Sequence, residues 1–181
     1  MSISIPYNME KSSIFAVCQN NIDFMEKKLY PLKFIPIASK RPWGGNALVN
    51  DLGKEFVVCD DDGNETVLSA DEQIGESWEI ADMGFEDSVV GNGWLAGNTI
   101  GELMETYLER IVGEGVYNYY GRQFPLLVKF LDIHGKLSVQ VHPDDSYALA
   151  NEGEYGKTEM WYVVDCEKGA ELIYGFKEDI S

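Results

Sequence analysis

The residues best suited to chemistry are a glutamine, a histidine and a glutamate in the last third of the sequence. Between positions 137 and 142, apolar residues alternate with Ser138, Gln140 and His142, and this period of two is typical of a strand with one polar face. Gln140 and His142 therefore share a face, and Glu159 lies on the next predicted strand. An imidazole, a carboxylate and an amide oxygen that converge on one point could bind a divalent metal.

This metal interpretation has an ordinary alternative. A single histidine on a strand is more often a hydrogen-bonded side chain than a ligand. Zinc sites usually consist of cysteine, histidine and carboxylate side chains, and glutamine is an uncommon member. The spacing alone therefore leaves both interpretations open. The second histidine, His134, lies in a predicted turn and is expected at the surface.

Composition excludes several classes of partner. The 181 residues include 31 acidic and 14 basic side chains, a net charge of −17, so binding to nucleic acid or to an anionic membrane surface is not expected. Three scattered cysteines without a CxxC motif favour a reducing compartment. The sequence has no apolar run of membrane-spanning length and no secretory signal pattern at its start. We therefore expect a cytoplasmic protein.

Periodicity predicts mostly strands in the second half of the chain. An apolar stripe predicts a helix over residues 100–112, with a capping box formed by Thr99 and Glu102. A shorter helix is predicted over residues 146–151, capped by Asp144 or Asp145. Runs of β-branched and aromatic residues predict strands over 124–133, 137–142, 158–164 and 170–176. The first two of these strands are predicted to form a hairpin.

Several motifs together resemble the type I phosphomannose isomerases. The strongest are residues 125–132 (PLLVKFLD), 137–144 (LSVQVHPD) and 156–162 (GKTEMWY). Shorter upstream matches are WGG at 43–45, GESWEI at 75–80 and GWLAG at 93–97. Such linked motifs are more specific than a single short pattern.

The resemblance implies a mainly β fold, a cupin-like β-barrel (jelly roll) with a helical insertion, incomplete in this chain. Residues 1–24 are expected to be an amino-terminal extension, and residues 25–181 the amino-terminal part of the catalytic domain. The implied activity is a zinc-dependent aldose–ketose isomerisation between mannose 6-phosphate and fructose 6-phosphate. An incomplete barrel would leave a strand edge unpaired, so oligomers are expected.

The resemblance also assigns roles to individual residues. It implies Gln140, His142 and Glu159 as zinc ligands. It implies a small sugar phosphate as the substrate, near Ser138, Lys129 and Lys157. Members of the family continue beyond the position of Ser181, and that continuation is expected to supply the catalytic residues and a fourth ligand. The alternative is a non-catalytic cupin-like domain with a sugar-binding or regulatory role. In either case, the isolated chain is expected to be inactive or nearly so.

Overall fold

The computed structural model describes residues 28–59 and 62–178. The predicted extension at residues 1–24 lies outside these ranges. The chain divides into two compact units. The first takes in the residues up to Ser39, Glu55–Leu68 and Glu76–Phe130, and the second takes in Lys40–Lys54, Ser69–Gly75 and the residues from Leu131 onward.

Short strands form two small sheets in the described residues. In chain order they are β1 (Ile37–Ser39), β2 (Val57–Cys59), β3 (Glu65–Val67), β4 (Glu76–Ile80) and β5 (Val128–Leu131). One sheet has the order β1-β4-β5, and the other pairs β2 with β3. Ile37 lies opposite Trp78 in the first sheet. Strand β4 is therefore the central strand, with a neighbour on each side.

Helices occupy more of the described chain than the sequence predicts. They are α1 (Ala47–Asn50), α2 (Ile100–Tyr107), α3 (Glu109–Val112), α4 (Glu114–Tyr120) and α5 (Asp145–Asn151), with one 3-10 turn at Gly93–Leu95. None of the helices in the described part of the chain is long and apolar enough to cross a membrane.

The helix predicted over residues 100–112 starts as expected but does not continue. The Thr99 hydroxyl accepts a hydrogen bond from the Glu102 amide at 3.2 Å, and the Glu102 carboxylate accepts one from the Thr99 amide at 2.9 Å, so the capping box is confirmed. The prediction of one continuous helix is wrong, because Leu108 has a φ of +50°. A leucine rarely adopts this left-handed conformation, and it separates α2 from α3.

The first unit buries a hydrophobic core on one face of α2. Val90, Leu95 and Leu103 are almost fully buried, and Trp94 and Phe34 pack against them. Phe34 and Val90 form an isolated antiparallel bridge. The apolar stripe of α2 therefore has the role that its periodicity predicts, which is to close the core of this unit.

The predicted barrel is not present in the described residues. Strand β5 forms within the predicted segment 124–133, but residues 137–142, 158–164 and 170–176 form no strands there. The predicted hairpin is also wrong, since Ile133 pairs with Gly44 and the Asp132 amide donates to the carbonyl of Gly75. A strand needs a neighbour to complete its hydrogen bonds, and these three segments form no strand pairing in the described chain. The described fold mixes small sheets with helices and is not clearly mainly β.

Candidate metal and substrate site

In the second unit, helix α5 lies between the two predicted ligand-bearing segments, and the chain after the helix returns to the segment before it. Helix α5 follows His142, and the Asp144 carboxylate caps it by accepting from the Tyr147 amide at 2.9 Å. After the helix, the Lys157 amide donates to the carbonyl of Pro143 at 3.3 Å. The chain therefore leaves and returns at nearly the same point, which places Glu159 beside His142.

Gly156 makes this return possible. Its amide donates to the Asp145 carboxylate at 3.0 Å. A Cβ atom at this position would lie only 2.5 Å from the carbonyl carbon of Asp144 and 2.6 Å from the Pro143 oxygen. Only glycine permits so close a backbone approach.

His142 faces Glu159 across a short gap. The His142 Nε2 atom lies 3.7 Å from Oε2 of Glu159, which is too far for a hydrogen bond. This nitrogen is buried and has no hydrogen-bond partner within the described residues. A buried polar atom without a partner carries a desolvation cost, so the imidazole is placed for an interaction that these residues do not supply.

The gap between the two side chains is close to the spacing of two ligand atoms on a zinc ion. Zinc–nitrogen and zinc–oxygen bonds of about 2.0–2.2 Å at a tetrahedral angle place the two ligand atoms about 3.4 Å apart. The observed 3.7 Å is close to this value. The pair His142 and Glu159 therefore fits a zinc ion as two of its ligands.

Glu159 is held in its charged form. Its Oε1 lies 2.5 Å from the ammonium of Lys157. The hydrogen bond from Lys157 is the main cause that lowers the pKa of Glu159, burial opposes this shift, and a hydrogen bond from Trp161 adds to it. A carboxylate that stays ionised can bind a metal ion at neutral pH.

Gln140 and Ser138 are paired with each other. The Gln140 amide nitrogen donates to the Ser138 hydroxyl at 2.8 Å, and both residues are exposed. Within the described residues, no three His, Cys, Asp or Glu side chains form a group that could hold a metal. Gln140 is the third ligand that the sequence predicts, and in the described residues its amide nitrogen is bonded to Ser138.

Lys129 belongs to the first unit, where it contacts two residues that sequence reasoning did not single out. Its ammonium lies 3.4 Å from Oε2 of Glu76 and 5.8 Å from the centre of the Trp78 ring. The Trp78 indole also donates to Glu76 Oε2 at 2.7 Å. Glu76 is only 7% exposed. The motif GESWEI contains both residues, and a charged residue inside an otherwise buried strand is the signal that could have found them.

His134 lies at the surface, as the sequence predicts. Its side chain is more than half exposed, and its Nε2 lies 3.1 Å from Oδ1 of Asp132. The other oxygen of Asp132 accepts from the amide of Ala47 at 2.7 Å. His134 is therefore occupied with a local carboxylate and provides a matched control for His142.

Comparison with known proteins identifies the family. Residues 32–173 match the type I phosphomannose isomerase catalytic domain. The chain belongs to this family. Among its relatives, the mannose-6-phosphate isomerase ManA of Bacillus subtilis is 44% identical over 146 residues, which are 80% of this chain and 40% of the relative. The mannose-6-phosphate isomerase of Streptococcus mutans is 42% identical over 136 residues, 75% of this chain and 37% of the relative.

A solved structure of this family is similar in fold. The crystal structure of the mannose 6-phosphate isomerase from Bacillus subtilis gives a TM-score of 0.62 at 37% identity, covering 77% of this chain and 39% of that one. This chain thus spans about two fifths of the length of the relatives it matches. The motifs that suggested the family all lie within the matched residues.

Proposed function

We propose that this chain contributes the zinc-binding and part of the sugar phosphate-binding residues of a mannose-6-phosphate isomerase. The enzyme class follows from the family and from the names of its relatives. In this proposal His142, Glu159 and Gln140 hold the metal. The observation that carries it is the buried, unpartnered Nε2 of His142 opposite Glu159.

Each of these residues has a chemical task in the exchange of an aldehyde sugar for a ketone. When bound, zinc would supply a Lewis acid for the oxygens at the first two carbons of the sugar. Glu159 would contribute the one negative charge among the three proposed ligands, so the site keeps a net positive charge. Lys157 keeps Glu159 ionised through a contact of 2.5 Å.

The substrate's phosphate needs local positive charge, because the chain as a whole carries −17 and repels anions. Lys129 and Lys157 are the proposed binding residues, and lysine can hold a phosphate as a point charge. Lys129 is prepared for this role, since Glu76 and the Trp78 ring restrict where its ammonium can lie. Ser138 would offer a hydroxyl to the sugar.

The metal assignment is tested by zinc affinity. We expect His142→Ala to weaken zinc binding by about tenfold or more, since a direct ligand is lost. His134→Ala removes an exposed imidazole and should leave the affinity unchanged. Zinc titration against a competing chelating dye measures both variants. Equal affinities would contradict the assignment.

A second candidate is a non-catalytic domain that binds sugars, and it is favoured by the finding that no three His, Cys, Asp or Glu side chains of the described residues form a group that could hold a metal. A coupled assay of mannose 6-phosphate turnover separates the two. We expect little turnover from the 181 residues alone, and turnover with zinc once the remainder of the domain is present. Full activity of the isolated chain would show that the proposed division of the site is wrong.

A further inference from the structure

The first unit contains an apolar pocket that none of the proposed metal or substrate residues lines. Its volume is about 280 Å³, and its walls include Phe34, Ile80, Ile100 and Phe124. A cavity of about 150 Å³ can hold one benzene ring. This pocket is therefore large enough for a bicyclic aromatic group or a medium-length alkyl chain.

Two polar side chains of the described residues line this pocket, and only one of them is already satisfied. The Tyr30 hydroxyl donates to the carbonyl of Asn92 at 2.6 Å and accepts from the amide of Leu95 at 2.9 Å. The other is Arg110, whose guanidinium lies 5.6 Å from the centre of the Tyr107 ring. Arg110 pairs with no carboxylate among the described residues, so its hydrogen-bond donors are available to a ligand.

The strained residue Leu108 brings this cation to the pocket wall. Its φ of +50° ends α2, and α3 begins directly after it as a separate helix. Helix α3 then supplies both Arg110 and Ile111 to the wall. A strained backbone conformation costs free energy, and such conformations are concentrated at ligand-binding and catalytic sites. The break between the helices therefore adds one positive charge to an otherwise apolar wall.

Burial and charge indicate the chemical class of the ligand. Ile100 is only 1% exposed, whereas Arg110 is exposed, so the pocket is apolar inside and carries its cation at the mouth. An apolar group gains free energy when it leaves water for such a space. A carboxylate at the mouth would meet the guanidinium, which can bind both of its oxygens. Because the chain carries a net charge of −17, an anion needs this local cation to overcome the general repulsion.

We propose that this pocket binds a small organic carboxylate with an aromatic or medium-chain apolar body. The carboxylate pairs with Arg110, and the apolar body contacts Ile80, Ile100 and Ile111. The proposal uses residues of the first unit alone. It is independent of isomerase activity and of the proposed metal ligands, so the two proposals fail separately.

The first test compares two probes with the same rings and different charge. Naphthoate carries the carboxylate, and naphthamide is its uncharged counterpart. We expect naphthoate to bind the unsubstituted chain about fivefold more tightly, which is the effect of one partly exposed ion pair. Arg110→Gln should remove this preference, whereas Arg122→Gln, which changes an exposed arginine of the same unit, should retain it. Isothermal titration calorimetry measures all affinities. Equal affinities of the two probes for the unsubstituted chain, or no binding of naphthoate, would overturn the proposal.

The second test locates the bound probe. Naphthoate should shift the methyl NMR signals of Ile80, Ile100 and Ile111, and it should leave those of Ile173 unchanged, because Ile173 is 75% exposed and belongs to the second unit. Ile111→Trp places a larger side chain in the pocket and should weaken both probes by about tenfold or more. Circular dichroism checks that this variant folds. Shifts confined to Ile173 in the unsubstituted chain, or an unchanged naphthoate affinity in folded Ile111→Trp, would show that the probe binds elsewhere and that the proposal is wrong.

Discussion

The same three-residue pattern, glutamate then any residue then tryptophan, occurs twice in this chain with different consequences. In the first unit, Glu76 accepts a hydrogen bond from Trp78 and faces Lys129. In the second unit, Glu159 pairs with Lys157, and Trp161 contributes to lowering its pKa. The local chemistry of the two carboxylates is therefore nearly the same.

Their surroundings separate the two patterns. Glu76 lies on the central strand β4 and is buried. The Glu159 side chain is 35% exposed, and residues 158–164 around it form no strand in the described chain. Because β4 has a strand on each side, Glu76 is enclosed and stabilises the fold, whereas Glu159 remains accessible to a ligand. The role of each carboxylate therefore depends on whether its segment is paired in a sheet.

The largest expected effect is the difference in unfolding free energy between alanine substitutions at the two glutamates. Glu76→Ala leaves the Trp78 indole and the Lys129 ammonium without their buried carboxylate, and we expect a loss of about 2–4 kcal/mol in the free energy of unfolding. Glu159→Ala removes an exposed pair and should cost less than about 1 kcal/mol. Urea unfolding followed by circular dichroism measures both. Similar losses would mean that burial does not distinguish the two patterns.

A backbone substitution tests how the second pattern is positioned. Gly156→Ala forces a Cβ atom against the Asp144 backbone, so we expect a cost of about 1–3 kcal/mol and a displaced Glu159. Gly115→Ala is the control, because nothing lies within 4 Å of its Cβ position and alanine favours the helix by about 0.5–1 kcal/mol. NMR shifts of the His142 ring should change only in the first variant. An unchanged ring in Gly156→Ala would refute the positioning role.

Substituting the two tryptophans is expected to give a smaller difference in stability. Trp78→Phe removes a buried indole donor 2.7 Å from Glu76 and should cost about 1–3 kcal/mol. Trp161→Phe removes a donor from an exposed carboxylate, and the loss should be less than about 0.5 kcal/mol. Thermal unfolding compares the variants. The reverse order would show that Trp161 anchors its segment despite its exposure.

Local signals predicted local structure well. The capping box at Thr99 and the cap at Asp144 follow from hydrogen bonds between residues three positions apart, and the structure contains both. The break at Leu108 could not be predicted, since nothing in its sequence favours a positive φ. The predictions of strands over residues 137–142, 158–164 and 170–176 were wrong for a different reason. Their composition is correct for strands, but pairing depends on a neighbour that a local pattern cannot identify.

Local patterns also predicted only part of the candidate site. The alternation of residues 137–142 and the family motifs singled out His142 and Glu159, and the structure places them 3.7 Å apart. The contact depends on Gly156 and the return of the chain after α5, which no periodicity indicates. Glu76 was missed because a strand pattern does not show that a charged residue is buried beside Trp78 and Lys129.

The smallest expected effect is on the titration of Glu159. Lys157 is the main cause of its lowered pKa, so Lys157→Met should raise that pKa toward the ordinary glutamate value, whereas Lys136→Met should not. The sign is fixed by linkage: a carboxylate with a lowered pKa in the folded state stabilises the fold above its ordinary pKa, and this contribution disappears as the pH falls through the lowered value. Because Glu159 is partly exposed, solvent screens the interaction and little change in overall stability should accompany the shift. Carbon-13 NMR of the Glu159 carboxyl group against pH measures the effect directly. A midpoint in Lys157→Met that matches the unsubstituted chain would mean that Trp161 and His142, rather than the lysine, lower the pKa of the proposed ligand.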